Sequence, residues 1–171
     1  MQITIKSFQK KIPVYPKRIK KTILKILSKE GLKKSGAITV CFVNERKIKK
    51  LNLKYHNKNA PTDVLTFDLS DKKNLSRRSD RRRSRASEVG IPSQGTYGLK
   101  ASSGTTLADI VVSTDAAIQN AKSFKTTPFY ELNLYVIHGI LHLLGYDDKT
   151  AKGRKIMQNK ANNILNANFR R

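Results

Sequence analysis

The chain has 171 residues, with 35 Lys and Arg against 12 Asp and Glu, a formal charge of +23. That length fits a single domain over 1–171 that buries a core without disulfides or a structural metal, so a bound metal would serve chemistry rather than folding. No run approaches the roughly 18 apolar residues needed to cross a bilayer, and MQITIKSFQKK lacks the apolar stretch of a signal peptide.

The chain therefore reads as soluble and cytoplasmic, with no membrane partner. A charge excess of this size draws polyanions over long range and releases counterions from phosphates. Nucleic acid is the first partner it implies, ahead of an anionic lipid surface or a merely solvated exterior. Cys41 is the single cysteine and lies in the apolar run AITVCFV, where a small buried core residue is the plain reading.

Alternation over 2–6 (QITIK) predicts a strand. Pro16 opens a helix over about 17–31, with Ile19, Ile23, Ile26 and Leu27 as its apolar stripe and Gly31 as its stop. Residues 37–43 form a buried strand, and a basic helix follows over 45–56 with Ile48 and Leu51 inward. The turn Asn59-Ala60-Pro61-Thr62 introduces a strand over 64–69.

Residues 70–106 differ in composition. Nine basic and three acidic residues leave +6, and large apolar residues are few. Such a segment buries too little apolar area to offset its ordering entropy, so a flexible basic insertion is expected, either an RNA-binding arm or a tolerated surface loop. Removing it leaves +17 on the remainder, so the basic character does not depend on it.

LADIVV at 107–112 predicts a strand, and Ser113 or Thr114 caps a helix over 115–124. Thr127-Pro128 starts a helix reaching Leu144 that is apolar nearly all round, which belongs at the centre of a domain. Gly145 ends it, and a last helix over 150–166 buries Met157, Ala161, Ile164 and Leu165. The pattern predicts an α+β fold: a small mixed sheet of about four strands, mostly in sequential order, packed with about five helices.

His138 and His142 lie four residues apart on the central helix. That spacing puts both imidazoles on one face, where they can share a divalent ion. Core histidines bonded to the backbone are the plain alternative. A third ligand is needed, and either Asp147 or Asp148 is in reach once the chain turns at Gly145. The zinc-protease pattern needs Glu directly after the first histidine; Gly139 stands there, which disfavours that design and implies close packing against a strand or loop.

HGILHLLGYDD at 138–148 resembles the signature of the YbeY family, bacterial metal-dependent endoribonucleases of rRNA maturation. Pro61-Thr62-Asp63-Val64-Leu65-Thr66-Phe67 and Leu107-Ala108-Asp109-Ile110-Val111-Val112-Ser113 resemble two further family stretches, in the family's order. The resemblance implies an endoribonuclease-like domain with one divalent ion, Zn2+ by preference, held by His138, His142 and Asp148. It implies single-stranded RNA, rRNA in particular, as substrate, and ribosomal subunit proteins or assembly GTPases as partners.

Two positions depart from the family pattern. Asp148 stands where the family has a third histidine, and His56 stands where it has an arginine associated with activity. A carboxylate can ligate zinc in place of imidazole. His56 can contact phosphate when protonated or transfer a proton near neutral pH, so it is the candidate catalytic residue. Lysines around the cleft are expected to hold backbone phosphates beside it. The implied function is maturation of the 16S rRNA 3′ end and ribosome quality control. The alternative is a non-catalytic rRNA-binding assembly factor with a degenerate or structural metal site.

Overall fold

A computed structural model describes residues 1–31, 36–69 and 106–169. In chain order the elements are β1 (Gln2–Ser7), α1 (Pro16–Lys29), β2 (Ala37–Val43), α2 (Glu45–His56), β3 (Val64–Asp68), β4 (Thr106–Ser113), α3 (Thr114–Phe124), α4 (Pro128–Leu143) and α5 (Ala151–Phe169). The fold is α+β, as expected. Thr106 belongs to β4, so the segment read as an insertion ends no later than residue 105; residues 70–105 lie outside the described part.

Local chemistry accounts for the boundaries. The Asn44 side chain accepts the Lys47 N–H at 3.0 Å and caps α2, which Asn57 ends in the left-handed conformation at φ 54°. Ser113 accepts from the Ala116 N–H and caps α3. Thr127 accepts from the Tyr130 N–H at 3.1 Å and caps α4, with Pro128 as its first residue. Each cap satisfies a backbone donor that the first turn leaves unpaired.

The sheet order is β1-β2-β4-β3, with β1, β2 and β4 parallel and β3 antiparallel to β4. Two of the three neighbouring pairs are sequential, as expected, and only β2–β4 is a crossover. Residues 108–113 of β4 are all buried, so the strand needs cover on both edges and both faces. β3 buries alternate residues only and takes the edge.

Side-chain alternation divides the core. Ile38, Val40, Phe42, Ile110 and Val112 face α1, α4 and α5, whereas Cys41, Val43, Leu65, Phe67 and Val111 face Ile48 of α2. Leu132, Ile137, Ile140 and Leu141 make α4 the most buried helix of the large core. Burying each such side chain contributes about 1.5–3 kcal/mol. Cys41 is a core residue, 1% exposed, and burial pushes its thiol up to about 11. Among the described residues, no helix is long and apolar enough to cross a membrane.

Candidate metal centre

α4 lies directly on the sheet because Gly139 has no side chain. A Cβ there would stand 2.7 Å from Ile110 Cγ2, 3.0 Å from Thr66 Oγ1 and 3.3 Å from Val64 Cγ2. The close partner inferred from this glycine is thus the β3–β4 surface. The backbone contact fixes the depth of the helix, and His138 and His142 project from it with ring centroids 4.7 Å apart and planes at 84°.

The helix ends in a Schellman turn. Gly145, at φ +88°, donates its N–H to the His142 carbonyl at 2.9 Å, and Tyr146 donates to the Leu141 carbonyl at 3.0 Å. The turn sends the chain back over the last helical turn. His142 Nδ1 then meets the Tyr146 carbonyl at 3.1 Å. An oxygen acceptor at Nδ1 requires the hydrogen on that nitrogen, which leaves the Nε2 lone pair free for a ligand.

Of the two aspartates, Asp148 turns inward. Its Oδ2 lies 3.5 Å from His138 Nε2 and 3.9 Å from His142 Nε2. Asp147 is occupied elsewhere: it accepts the Lys149 N–H at 3.1 Å and pairs with the Lys149 ammonium at 3.6 Å. Arg154 Nη1 clamps the loop through the carbonyls of Asp148 and Lys149 at 3.1 and 3.2 Å. A Cβ at Gly153 would lie 2.3 Å from the Asp147 carbonyl oxygen, so a glycine lets α5 start against this loop.

These donors suit a divalent ion. The ligand atoms of His138, His142 and Asp148 lie within 4.8 Å of one another. Ligands of tetrahedral zinc, at ~2.0–2.1 Å from the ion, are ~3.3 Å apart, so the Asp148–imidazole spacings of 3.5 and 3.9 Å are close to that figure and the group as a whole, within 4.8 Å, closes on an ion by side-chain movements of about 1.5 Å or less. Burial, with the adjacent His142, holds His138 below the usual imidazole range, against the opposing pull of Asp63 and Asp148. It is thereby kept neutral, the form that ligates.

The loop has a second anchor. Lys160 of α5 pairs with Glu30, which caps α1, at 2.6 Å, and the Tyr146 hydroxyl donates to Glu30 at 3.2 Å. The Lys160 ammonium also contacts the Tyr146 hydroxyl and lies 4.4 Å over its ring. Glu30 and Lys160 carried no recognisable signal in the sequence, because their relation to Tyr146 exists only after α1, α4 and α5 pack.

His56 stands apart from these residues. It is exposed at the end of α2, and its ring stacks on Phe67 at 6.1 Å and 25°. Phe67 faces the α2 side of the sheet, whereas α4 covers the other. The structure brings His138, His142 and Asp148 together and does not bring His56 into contact with them.

A cavity of about 440 Å³ adjoins His138, between α3, α4 and α5. Among the described residues, its lining contains no lysine or arginine. The residues of α3, α4 and α5 that face the cavity are neutral or acidic. Asp63 borders it, and sequence reading missed that residue although its motif, Pro61 to Phe67, was in plain view.

A family model described as Endoribonuclease YbeY matches residues 2–168. A Bacillus licheniformis protein named Endoribonuclease YbeY is 32% identical over 148 residues, 86% of this chain and 82% of its own. A Syntrophomonas wolfei protein of the same name is 30% identical over 169 residues, covering 96% of each chain. The solution structure of a Thermotoga maritima protein superposes with a TM-score of 0.56 at 28% identity, covering 96% of this chain and 87% of that one. With a helix that carries two histidines to an inward-turned carboxylate, and a match along nearly all its length, the chain belongs to the YbeY endoribonuclease family.

Proposed function

We propose that this protein is a metal-dependent endoribonuclease that cuts single-stranded RNA, with one Zn2+ held by His138, His142 and Asp148. The observation that carries the reading is the convergence of two imidazole nitrogens and one carboxylate within 4.8 Å at the end of a buried helix. Three protein ligands leave a coordination position for water or substrate, the arrangement of catalytic rather than structural zinc. When bound, such an ion supplies Lewis-acid chemistry and lowers the pKa of water toward about 7.

The protein's own residues do the rest. The Tyr146 carbonyl orients His142, and Arg154 and the Schellman turn hold Asp148 in place. His56 is assigned to a backbone phosphate rather than to the proton transfer, since it is exposed on the α2 side. The charge of +23 recruits the polyanion. An accessible single strand suits a site reached from a cleft. The assigned cellular role is 16S rRNA 3′-end maturation and ribosome quality control in the cytoplasm, with ribosomal subunit proteins or assembly GTPases as partners.

The test is cleavage of single-stranded rRNA fragments by the purified protein, with and without chelator, beside His138→Ala and Asp148→Ala. Cutting that needs zinc and disappears in both variants is expected. Salt-sensitive binding without metal-dependent cutting would reverse the conclusion in favour of a non-catalytic rRNA-binding assembly factor.

A further inference from the structure

The cavity beside His138 is chemically at odds with the rest of the surface. On a chain of charge +23 it is bordered by two carboxylates, Asp63 and Glu131, and by no lysine or arginine among the described residues. Such a lining repels phosphate. It favours a neutral group that donates hydrogen bonds.

The floor is already ordered. Asn120 Nδ2 donates to the Tyr135 hydroxyl at 2.7 Å, and Thr126 Oγ1 donates to Glu131 Oε1 at 2.5 Å. Glu131 is 3% exposed, so its carboxylate is a fixed acceptor. Asp63 uses Oδ1 to accept the Val64 N–H at 2.8 Å and the Thr62 hydroxyl at 3.1 Å, which fixes its carboxylate at the border of the cavity. At the mouth stands Phe124, an aromatic ring that is 66% exposed. Large exposed rings are costly to leave in water and offer a stacking surface. The volume of about 440 Å³ lies in the range of roughly 300–1,000 Å³ typical of small-molecule sites.

We propose that this cavity is a base subsite: it takes one unpaired nucleobase bearing an exocyclic amino group, stacked on Phe124 and hydrogen-bonded through Asp63, from the nucleotide next to the phosphate at the metal centre. The inference rests on the endoribonuclease reading for its neighbouring phosphate, but not for the base pocket itself. His138 borders both sites, so a base in the cavity sets the register of the strand across the His138–His142–Asp148 group. Adenine, cytosine and guanine qualify, and uracil, which lacks the amino group, is disfavoured.

The experiment titrates the full chain, with and without zinc, against a hexauridylate carrying one 2-aminopurine. A matched oligomer has an abasic ribose at that position. The chain has no tryptophan, so 2-aminopurine emission reports stacking directly. The unaltered protein is expected to quench the probe and to bind it more tightly than the abasic oligomer. Phe124→Ala should weaken probe binding by about five- to a hundredfold, the loss seen when a stacking ring is removed, and leave the abasic oligomer unaffected. Phe124→Tyr should restore it, and Asp63→Asn should reduce the preference for an amino-bearing base over uracil.

Equal probe-to-abasic affinity ratios in Phe124→Ala and the unaltered protein would overturn the inference. Two results separate it from the activity. Metal-dependent cutting with no dependence on base identity or on Phe124 removes the subsite and keeps the nuclease. Phe124-dependent base binding without metal-dependent cutting keeps the subsite and removes the nuclease.

Discussion

Asp148 is the residue on which the metal centre turns. It supplies an oxygen where the family pattern has a histidine nitrogen, and it is 42% exposed, against 22% and 30% for the two imidazoles. Loss of an outer partner of a metal ligand costs ~10–100-fold in affinity. Asp148→Ala removes a ligand outright and should lower zinc affinity by at least about 100-fold, measured by competition with a chromophoric chelator. Asp148→His should bind zinc at least as tightly as the unaltered chain. A weaker site in that variant would mean that the loop admits only the shorter carboxylate. Spacing alone left a choice between two aspartates, and the family resemblance singled out Asp148. Asp147 and Asp148 are chemically alike, and the Schellman turn at Gly145 with the Asp147–Lys149 contacts decides which one faces inward.

Among the elements, α4 and its contacts decide the geometry. Gly139→Ala gains about 1 kcal/mol of helix propensity. It also forces a methyl to within 2.7 Å of Ile110, which is fully buried and cannot give way. Overpacking of this kind costs ~1–3 kcal/mol, so a net loss of up to about 2 kcal/mol is expected in chemical denaturation. A stability gain would show that α4 can lift off the β3–β4 surface. The Glu30–Lys160 pair tests the other anchor. The hydrogen bond from Lys160 is the largest cause that lowers the Glu30 carboxyl below its usual value. A carboxyl lowered by folding stabilises above its unfolded pKa, about 4.3, and the contribution disappears as pH falls through the folded value. Lys160→Met should therefore cost about 1 kcal/mol at pH 7. Its deficit relative to the unaltered chain should begin to shrink as pH falls below about 4.3 and close once the lowered folded value is passed. A deficit that persists in acid would assign the loss to packing of the Lys160 stem on the Tyr146 ring.

For the whole molecule, charge governs the encounter with RNA and packing governs the site. If four to six phosphates of a single strand are contacted, log affinity falls with log salt at a slope of roughly −3 to −4. Affinity for an unstructured RNA should then drop about a hundredfold between 50 and 200 mM salt, read by fluorescence anisotropy. A flat dependence would mean that the +23 charge does not take part in binding. The order of elements, the helix ends at Asn44, Ser113, Thr127 and Gly145, the buried run of α4 and the pairing of His138 with His142 were all determined by the sequence alone. They depend on periodicity, caps and backbone preferences acting within a few residues. The strand order with β4 inside, the place of His56 across the sheet, the Glu30–Tyr146–Lys160 anchor and the acidic cavity were decided by the tertiary structure. These join residues far apart in the chain, and that contact energy exists only once the helices have docked on the sheet.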